Sequence, residues 1–349
     1  MLTSRKALIL KAVVTEYIVH AEPVGSRTVT RRYNINLSPA TVRNEMADLE
    51  EMGYLVQPHT SAGRIPTQKG YRFYVDNLMD DDELSPDIKE IVRKKYKYER
   101  MREIQDLIFQ TCRLLSELTS YTSIVLGPRL RKSAFKKLQI MPLDDRRGLL
   151  VVMADTGFIK NKVIELPRSL PARELARIVA YLNHRLGGLT MEQISAELLR
   201  EMRHDLYNHL TFLERALKLL EESLSEEERR IFLWGTSHIL NQPEFKDVEK
   251  IKALLGLFEQ HSLLASLLED TIDCDRDVVV KIGSENALEE IKECSLVLST
   301  YQFGQDIVGT LAVLGPTRMH YGRVIAATQF VASQLNKHLA ADYFNLNIG

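Results

Sequence analysis

The stretch that decides the fold is LSPATVRNEMADLEEMGYL, which runs from Leu37 to Leu55. Within it, a helix is predicted from about Pro39 to Met52. Ser38 suits the N-cap position because its hydroxyl can accept a hydrogen bond from a free backbone N–H. Proline suits the first helical position, and Gly53 suits a left-handed residue after the last turn. The helix therefore has clear signals at both ends.

This helix has two faces of different chemistry. At 3.6 residues per turn, Val42, Met46 and Leu49 share one apolar face. The opposite face carries small and hydrogen-bonding side chains: Ala40, Thr41, Arg43, Asn44 and Ala47. The acidic residues Asp48, Glu50 and Glu51 lie in the C-terminal half, where they oppose the helix dipole. The pattern is typical of a helix that presents its N-terminal half to an anion.

The neighbouring sequence completes a small module. Helices are predicted at residues 3–20 and from Ser26 to Tyr33, and the tight turn NINLS leads into the helix described above. Two short helices joined in this way form a helix-turn-helix. A strand at Tyr54–Gln57, a turn and a return at Arg64 and Ile65 predict a β-hairpin, the wing of a winged helix.

These features predict binding to DNA. Arg43 matches guanine O6/N7, Asn44 matches adenine N6/N7, and Thr41 suits a phosphate or a thymine methyl. Residues of the wing would reach the DNA backbone or the minor groove, and arginines 27, 31 and 32 would reach phosphates that flank the major groove. The predicted DNA-binding residues are Ser38, Ala40, Thr41, Arg43, Asn44, Ala47, Arg27, Arg31, His59, Ser61 and Arg64. An alternative is a three-helix core whose polar face meets only water or another protein.

Composition supports the same interpretation only weakly. The chain has 349 residues, 45% of them hydrophobic, which is enough for two or three domains. The formal net charge is −1, but residues 1–78 hold ten Lys/Arg against seven Asp/Glu. The three cysteines have no CxxC spacing, which indicates a reduced cytoplasm. Neither a signal peptide nor a membrane span is predicted.

The N-terminal motifs resemble the HrcA family of heat-inducible transcription repressors. SPATVRNEMADLEEMGYL is followed by PHTSAGRIPTQKGYRFYVDNLM, of which TSAGRIPT and GYRFYVD are the most specific parts. The resemblance is close over about the first 80 residues and looser to the end, as in GTLAVLGPTRMHYGRVI. It implies a dimeric repressor of chaperone operons that binds an inverted-repeat operator. It also implies release on heat stress and a partner, the chaperonin GroEL, that keeps the repressor active.

The rest of the chain predicts a multidomain α+β fold. The winged helix-turn-helix spans residues 1–79, and a linker helix region spans 80–120. Strands are predicted at 122–126, 136–142, 148–154 and 158–166, and again from 277 onwards. Together they predict one antiparallel α+β domain, residues 121–188 and 272–349, which resembles the GAF-like domain of the family. Residues 189–271 are predicted to be an inserted helix-rich domain that makes the dimer, with RRIFLWG as a strand or helix end.

Catalytic signatures are absent from the sequence. It has no P-loop, GxGxxG, GxSxG or HExxH motif, and His204 and His209 are not spaced as a metal pair on a helix. The prediction is therefore a repressor and not an enzyme, with neither cofactor nor metal. Two other functions stay open: a winged-helix regulator whose GAF-like domain binds a small metabolite, and an enzyme with a vestigial helix-turn-helix.

Overall fold

The computed structural model describes residues 2–60, 62–80, 82–98, 104–127, 134–154, 159–166, 171–190, 193–194, 231–269, 277–303 and 306–346. These residues form helices and antiparallel sheets, so the predicted mixed α+β class is confirmed. Contacts divide the chain into two compact units. The first comprises residues 1–126, 231–301 and 309–335, and the second comprises 127–230, 302–308 and 336–349. Within the described ranges, no helix has both the length and the apolar character needed to cross a membrane.

The N-terminal part of the first unit contains four helices and one hairpin. Its elements are α1 (Ser4–His20), α2 (Ser26–Arg32), α3 (Pro39–Glu51), β1 (Leu55–Val56), β2 (Ile65–Pro66) and α4 (Gln68–Asn77). The strands pair antiparallel, with Leu55 opposite Pro66 and Val56 opposite Ile65. α3 packs on α1, α2 and β1. Every predicted helix and the predicted hairpin of this region are present.

In the described part of the chain, the remaining α-helices and strands are, in chain order, α5 (Pro86–Tyr98), α6 (Ile104–Thr119), β3 (Thr122–Leu126), β4 (Phe135–Pro142), β5 (Arg147–Ala154), β6 (Ile159–Glu165), α7 (Ala172–Leu186), β7 (Ile231–Trp234), α8 (Ser237–Leu240), α9 (Val248–Glu259), α10 (His261–Glu269), β8 (Val278–Ile282), β9 (Cys294–Phe303), β10 (Asp306–Pro316) and α11 (Tyr321–Leu346).

A five-stranded sheet lies in the first unit, in the order β7-β3-β10-β9-β8. β3 pairs antiparallel with both β7 and β10, so Ile124 lies opposite Leu233 on one side and Ala312 on the other. All five residues of β3 are buried, because helices cover this part of the sheet. The RRIFLWG segment thus contributes the edge strand β7.

The second unit has a sheet of its own, in the order β4-β5-β6. Its apolar face packs against α7, and Phe135, Leu138, Leu150 and Leu182 belong to that core. The side-chain amide of Asn183 on α7 accepts from the Leu138 N–H at 2.6 Å and donates to its carbonyl at 2.8 Å. This amide satisfies a backbone position on the edge strand β4 that would otherwise lack a partner.

The two sheets correct the predicted arrangement of strands. The strands predicted at 136–142, 148–154 and 158–166 exist, but they do not join β3 and β8–β10 in one sheet. Strand pairing therefore places β3 beside β10, as the predicted grouping of 121–188 with 272–349 requires, and leaves β4–β6 in a separate sheet. Alternation of apolar residues marks a strand but does not specify its partner. Residues 195–230 of the predicted helical insertion lie outside the described residues.

Helix α4 connects the N-terminal helices to the five-stranded sheet within the first unit. The Gln68 side chain accepts from the Ser284 N–H at 2.9 Å and donates to the Lys292 carbonyl at 3.1 Å. One turn later, Arg72 donates to the Glu285 carboxylate at 2.8 Å and to the Val280 carbonyl at 2.6 Å. Both side chains reach the short segment after β8.

Arg318 makes a second connection between the same parts. It donates to the Ile18 carbonyl at the end of α1 at 2.8 Å and to the Glu244 carboxylate at 2.6 Å. The Tyr71 ring packs beside the Tyr321 ring, with centroids 6.1 Å apart. The N-terminal helices are therefore held against the sheet by charged, polar and aromatic contacts together.

The two tyrosines differ in how their hydroxyls are satisfied, and this generates a prediction. The buried Tyr71 hydroxyl has no hydrogen-bond partner among the described residues, whereas the Tyr321 hydroxyl pairs with Ser295 Oγ at 2.7 Å and donates to the Thr317 carbonyl at 2.6 Å. Tyr71→Phe should leave the free energy of unfolding unchanged or raise it by about 1 kcal/mol, while Tyr321→Phe should lower it by about 1 kcal/mol. Urea unfolding of both variants checks this, and equal destabilisation by the two would contradict it.

Candidate nucleic-acid interface

The first turn of α3 is capped as the sequence predicts. Ser38 Oγ accepts a hydrogen bond from the Thr41 N–H at 3.1 Å and lies 3.0 Å from Thr41 Oγ1. Gly53, just after the helix, has φ +78°, the left-handed conformation that favours glycine. The hydroxyl of Ser38, predicted as a DNA contact, is thus used within the helix itself.

The two faces of α3 separate as predicted. Val42, Met46 and Leu49 are at most 1% exposed and form the inner face. On the outer face Ala40, Arg43 and Asn44 are exposed, and Thr41 and Ala47 are half-buried. In the described part of the chain, neither Arg43 nor Asn44 is engaged in a hydrogen bond or ion pair. Both polar side chains are therefore available to a ligand.

The acidic residues of α3 pair with the basic start of α1. Lys6 Nζ lies 2.7 Å from the Glu45 carboxylate and 2.8 Å from that of Asp48, and Arg5 is 3.4 Å from Glu45. The Lys6 hydrogen bond is the main reason that the pKa of the Glu45 carboxyl is lowered. These pairs give Asp48, which opposes the helix dipole, a partner on α1, and with Glu45 they hold α3 on α1 and cancel negative charge beside the outer face.

Glu50 pairs with the hairpin instead. Its carboxylate accepts from the Gln57 N–H at 3.1 Å and from Arg64 Nε at 2.9 Å. The side chain of Arg64 is only 13% exposed. Its backbone exchanges two hydrogen bonds with Val24, each 2.9 Å. The structure therefore gives Arg64, predicted as a phosphate contact on the wing, a set of contacts inside the protein.

Helix α2 provides further exposed arginines. Arg27 and Arg31 are exposed and four residues apart, so they lie on the same side of α2. Arg32, by contrast, forms an ion pair with the buried Glu16 and lies 3.0 Å from His20 Nε2. Among the described residues, Arg27, Arg31 and Arg43 are in no ion pair. Three arginines without a counter-charge among the described residues thus lie on α2 and the outer face of α3.

Of the other residues singled out in the sequence, some lie in the described part of the chain and some lie outside it. His59 is exposed near the tip of the hairpin, and Ser61 lies outside the described residues. His204 and His209, which the sequence did not favour as metal ligands, also lie outside them. In the part of the chain that the structure describes, no group of three His, Cys, Asp or Glu side chains has a metal-binding arrangement.

Sequence reasoning did not identify Glu50 and Gln57 as part of this site. Gln57 Nε2 donates to the carbonyls of Thr60 at 3.0 Å and Ala62 at 2.9 Å, across the hairpin turn. Glu50 was recognised only as an acidic residue opposed to the helix dipole. Its spacing of 14 residues from Arg64 matches no local motif, so only the folded hairpin shows that they meet.

An exposed, arginine-bearing helix thus lies on a small helical module with a hairpin, and the comparisons identify the family of the chain. Residues 105–325 match the family model described as HrcA protein C terminal domain. The heat-inducible transcription repressor HrcA of Natranaerobius thermophilus is 48% identical over 335 residues, or 96% of each chain. That of Pelotomaculum thermopropionicum is 44% identical over 97% of each chain. The chain belongs to the HrcA family of heat-inducible transcription repressors, which are not enzymes.

A solved structure shares the fold. It is described as the crystal structure of a hypothetical protein at 2.2 Å resolution and is 24% identical to this chain, with a TM-score of 0.66. The likeness covers 98% of this chain and 99% of the other. The resemblance seen in the N-terminal motifs is thus confirmed at the level of the family, and the overall fold has a solved counterpart.

The cap of α3 gives a prediction for stability. Ser38→Ala removes the acceptor of the Thr41 N–H and should lower the free energy of unfolding by about 1 kcal/mol. Ser4→Ala is the matched control, because Ser4 is exposed at the start of α1 while Thr3 accepts the capping hydrogen bond there. Urea unfolding compares the two variants. Equal stability of both would show that the Ser38 hydroxyl does not support the helix.

Proposed function

We propose that this chain is a sequence-specific DNA-binding repressor of heat-shock and chaperone operons. The observation that carries the proposal is the outer face of α3, where Arg43 and Asn44 are exposed and unpaired within the described residues beside two small alanines. Membership of a family of transcription repressors supports the same function. Elements α1–α3 with the β1–β2 hairpin are then a winged helix-turn-helix, and α3 is its recognition helix.

The proposed contacts follow from the chemistry of each side chain. The Arg43 guanidinium donates two hydrogen bonds in the geometry of guanine O6 and N7, and the Asn44 amide matches adenine N6 and N7. Ala40 and Ala47 allow the helix to approach the base edges closely, and Thr41 contacts a phosphate or a thymine methyl. Arg27 and Arg31 bind phosphates beside the groove. His59 and Ser61 remain proposed contacts of the wing.

The assembly is proposed from the family and from symmetry. An inverted-repeat operator presents the same half-site twice, so it is read by a two-fold dimer. We assign dimerisation to residues 189–271 and propose that the α+β part is a GAF-like domain. Release from DNA on heat stress, and maintenance of the active repressor by the chaperonin GroEL, are proposed as the family's mode of control. The proposed site of action is the cytoplasm, where the DNA lies and where cysteines without disulfide spacing remain reduced.

The direct test is fluorescence anisotropy with two duplexes. One carries an inverted repeat from upstream of the host's chaperonin operon, and the other has the same composition in scrambled order. The proposal expects at least about a thousandfold preference for the repeat, with two protomers per duplex. Equal, weak and salt-sensitive binding to both duplexes would instead mean that the chain only contacts phosphates.

Arg43→Ala tests the recognition helix. Loss of a base contact should reduce operator affinity by about 1–3 kcal/mol and relax the preference at one base pair. Arg146→Ala is the control because it removes the same charge from the exposed turn between β4 and β5, in the second unit. Anisotropy with single-base variants of the operator measures both effects. Unchanged affinity in Arg43→Ala would remove α3 from the major groove.

Arg27→Ala and Arg31→Ala test the phosphate contacts. Each should weaken binding to all sequences by a similar factor and reduce the slope of log K against log salt by about 1. The measurement is a salt titration with the operator and the scrambled duplex. A loss confined to the operator would indicate a base contact, and an unchanged slope would exclude a phosphate contact.

A further inference from the structure

We propose that Glu50 is a positioning residue for DNA recognition, which sets the wing hairpin against α3, and that Arg64 serves this support rather than binding a phosphate. The inference rests on the proposed DNA-binding function and deepens it. It assigns a role to an acidic side chain at the end of the recognition helix, where an electrostatic argument alone predicts only repulsion from DNA.

The first observation is that one carboxylate holds both sides of the hairpin. Glu50 Oε1 accepts from the Gln57 N–H at 3.1 Å, just after β1, and Glu50 Oε2 accepts from Arg64 Nε at 2.9 Å, just before β2. Hydrogen bonds to an ionised group are stronger than neutral ones. The Glu50 side chain is 33% exposed and the Arg64 side chain 13% exposed, so the pair is only partly screened by water. Glu50 thus fixes where the hairpin leaves and returns to the module.

The second observation is that the hairpin turn is held by the same group of residues. The Gln57 amide donates to the Thr60 carbonyl at 3.0 Å and to the Ala62 carbonyl at 2.9 Å. The backbone of Gln57 is in turn bonded to Glu50. A change at Glu50 is therefore transmitted to the turn, and so to His59, through a continuous set of hydrogen bonds.

The third observation is that Arg64 is fixed from a second direction. Its N–H and carbonyl both bond to Val24, between α1 and α2. The preceding residue, Gly63, lies so close that an added Cβ would be 2.4 Å from the Val24 carbonyl carbon. The backbone at Arg64 has little freedom to move, and its guanidinium is directed to Glu50. This geometry leaves Arg64 poorly placed to reach a phosphate.

A positioning role for Glu50 and a purely electrostatic role predict opposite effects of Glu50→Gln on DNA binding. Removing a negative charge beside bound DNA should strengthen binding if charge alone matters. Removing the hairpin's support should weaken it. Glu51→Gln is the matched control, because Glu51 is the neighbouring exposed acid and is in no ion pair with a described residue. The expected results are about tenfold weaker operator binding for Glu50→Gln and unchanged or slightly tighter binding for Glu51→Gln.

The experiment uses the full chain and the operator duplex. Anisotropy titrations over a range of salt give the affinity and the salt slope for the wild type, Glu50→Gln, Glu51→Gln and Arg64→Gln. Hydroxyl-radical footprinting then shows which part of the half-site is protected. In Glu50→Gln, protection should be lost where the hairpin lies and retained over the bases that α3 contacts. A general loss of folding would instead reduce both regions together.

Arg64→Gln keeps the proposal falsifiable if Glu50→Gln does not fold, which circular dichroism reveals. Positioning predicts weaker binding with an unchanged salt slope, whereas a phosphate contact predicts that the slope falls by about 1. A reduced slope would overturn the proposal, as would equal behaviour of Glu50→Gln and Glu51→Gln. If the wild type shows no preference for the repeat, the proposed function itself fails, so the two failures are distinct.

Discussion

The burial of one side of α3 is the constraint on which the rest of the site depends. Val42, Met46 and Leu49 are enclosed by α1, α2 and β1, and burying such a side chain contributes about 1.5–3 kcal/mol each. A rotation by one residue, about 100°, would expose this face and bring Arg43 towards the interior. The outward direction of Arg43 and Asn44 is therefore a result of packing and does not require a contact of their own.

Ion pairs determine how charge is presented around that helix. Five of the seven acidic residues in residues 1–78, namely Glu16, Glu45, Asp48, Glu50 and Asp76, lie in ion pairs within the module. The exposed Arg72–Asp76 pair adds at most about 1 kcal/mol of stability. The greater effect of the five pairs is to leave Arg27 and Arg31 of α2 and Arg43 of α3 without a neutralising carboxylate among the described residues. The net charge of the chain, −1, contains none of this information.

Local sequence signals were sufficient to predict the helices and the hairpin of the N-terminal module. They were not sufficient to predict contacts between segments that are far apart in the sequence. Ser38, Pro39 and Gly53 predicted the limits of α3 because caps act within one turn. The separation of β4–β6 from the five-stranded sheet, and the pairing of Glu50 with Arg64, depend on residues that meet only after folding. The sequence accordingly predicts a DNA contact for Arg64 on the wing, whereas in the structure its guanidinium donates to Glu50. Sequence patterns identify a charged side chain but not the partner that satisfies it.

Helix α4 is continuous in sequence with the other N-terminal helices, yet Gln68 and Arg72 are bonded to β8 and the segment after it. A chain cut in the acidic segment at residues 80–86 would leave both side chains without these partners and uncover the Tyr71 ring. The N-terminal helices are thus not independent of the sheet, because the side chains they turn towards it are bonded or packed against it. Thermal opening of the sheet would therefore also remove the support of the helices that carry the arginines.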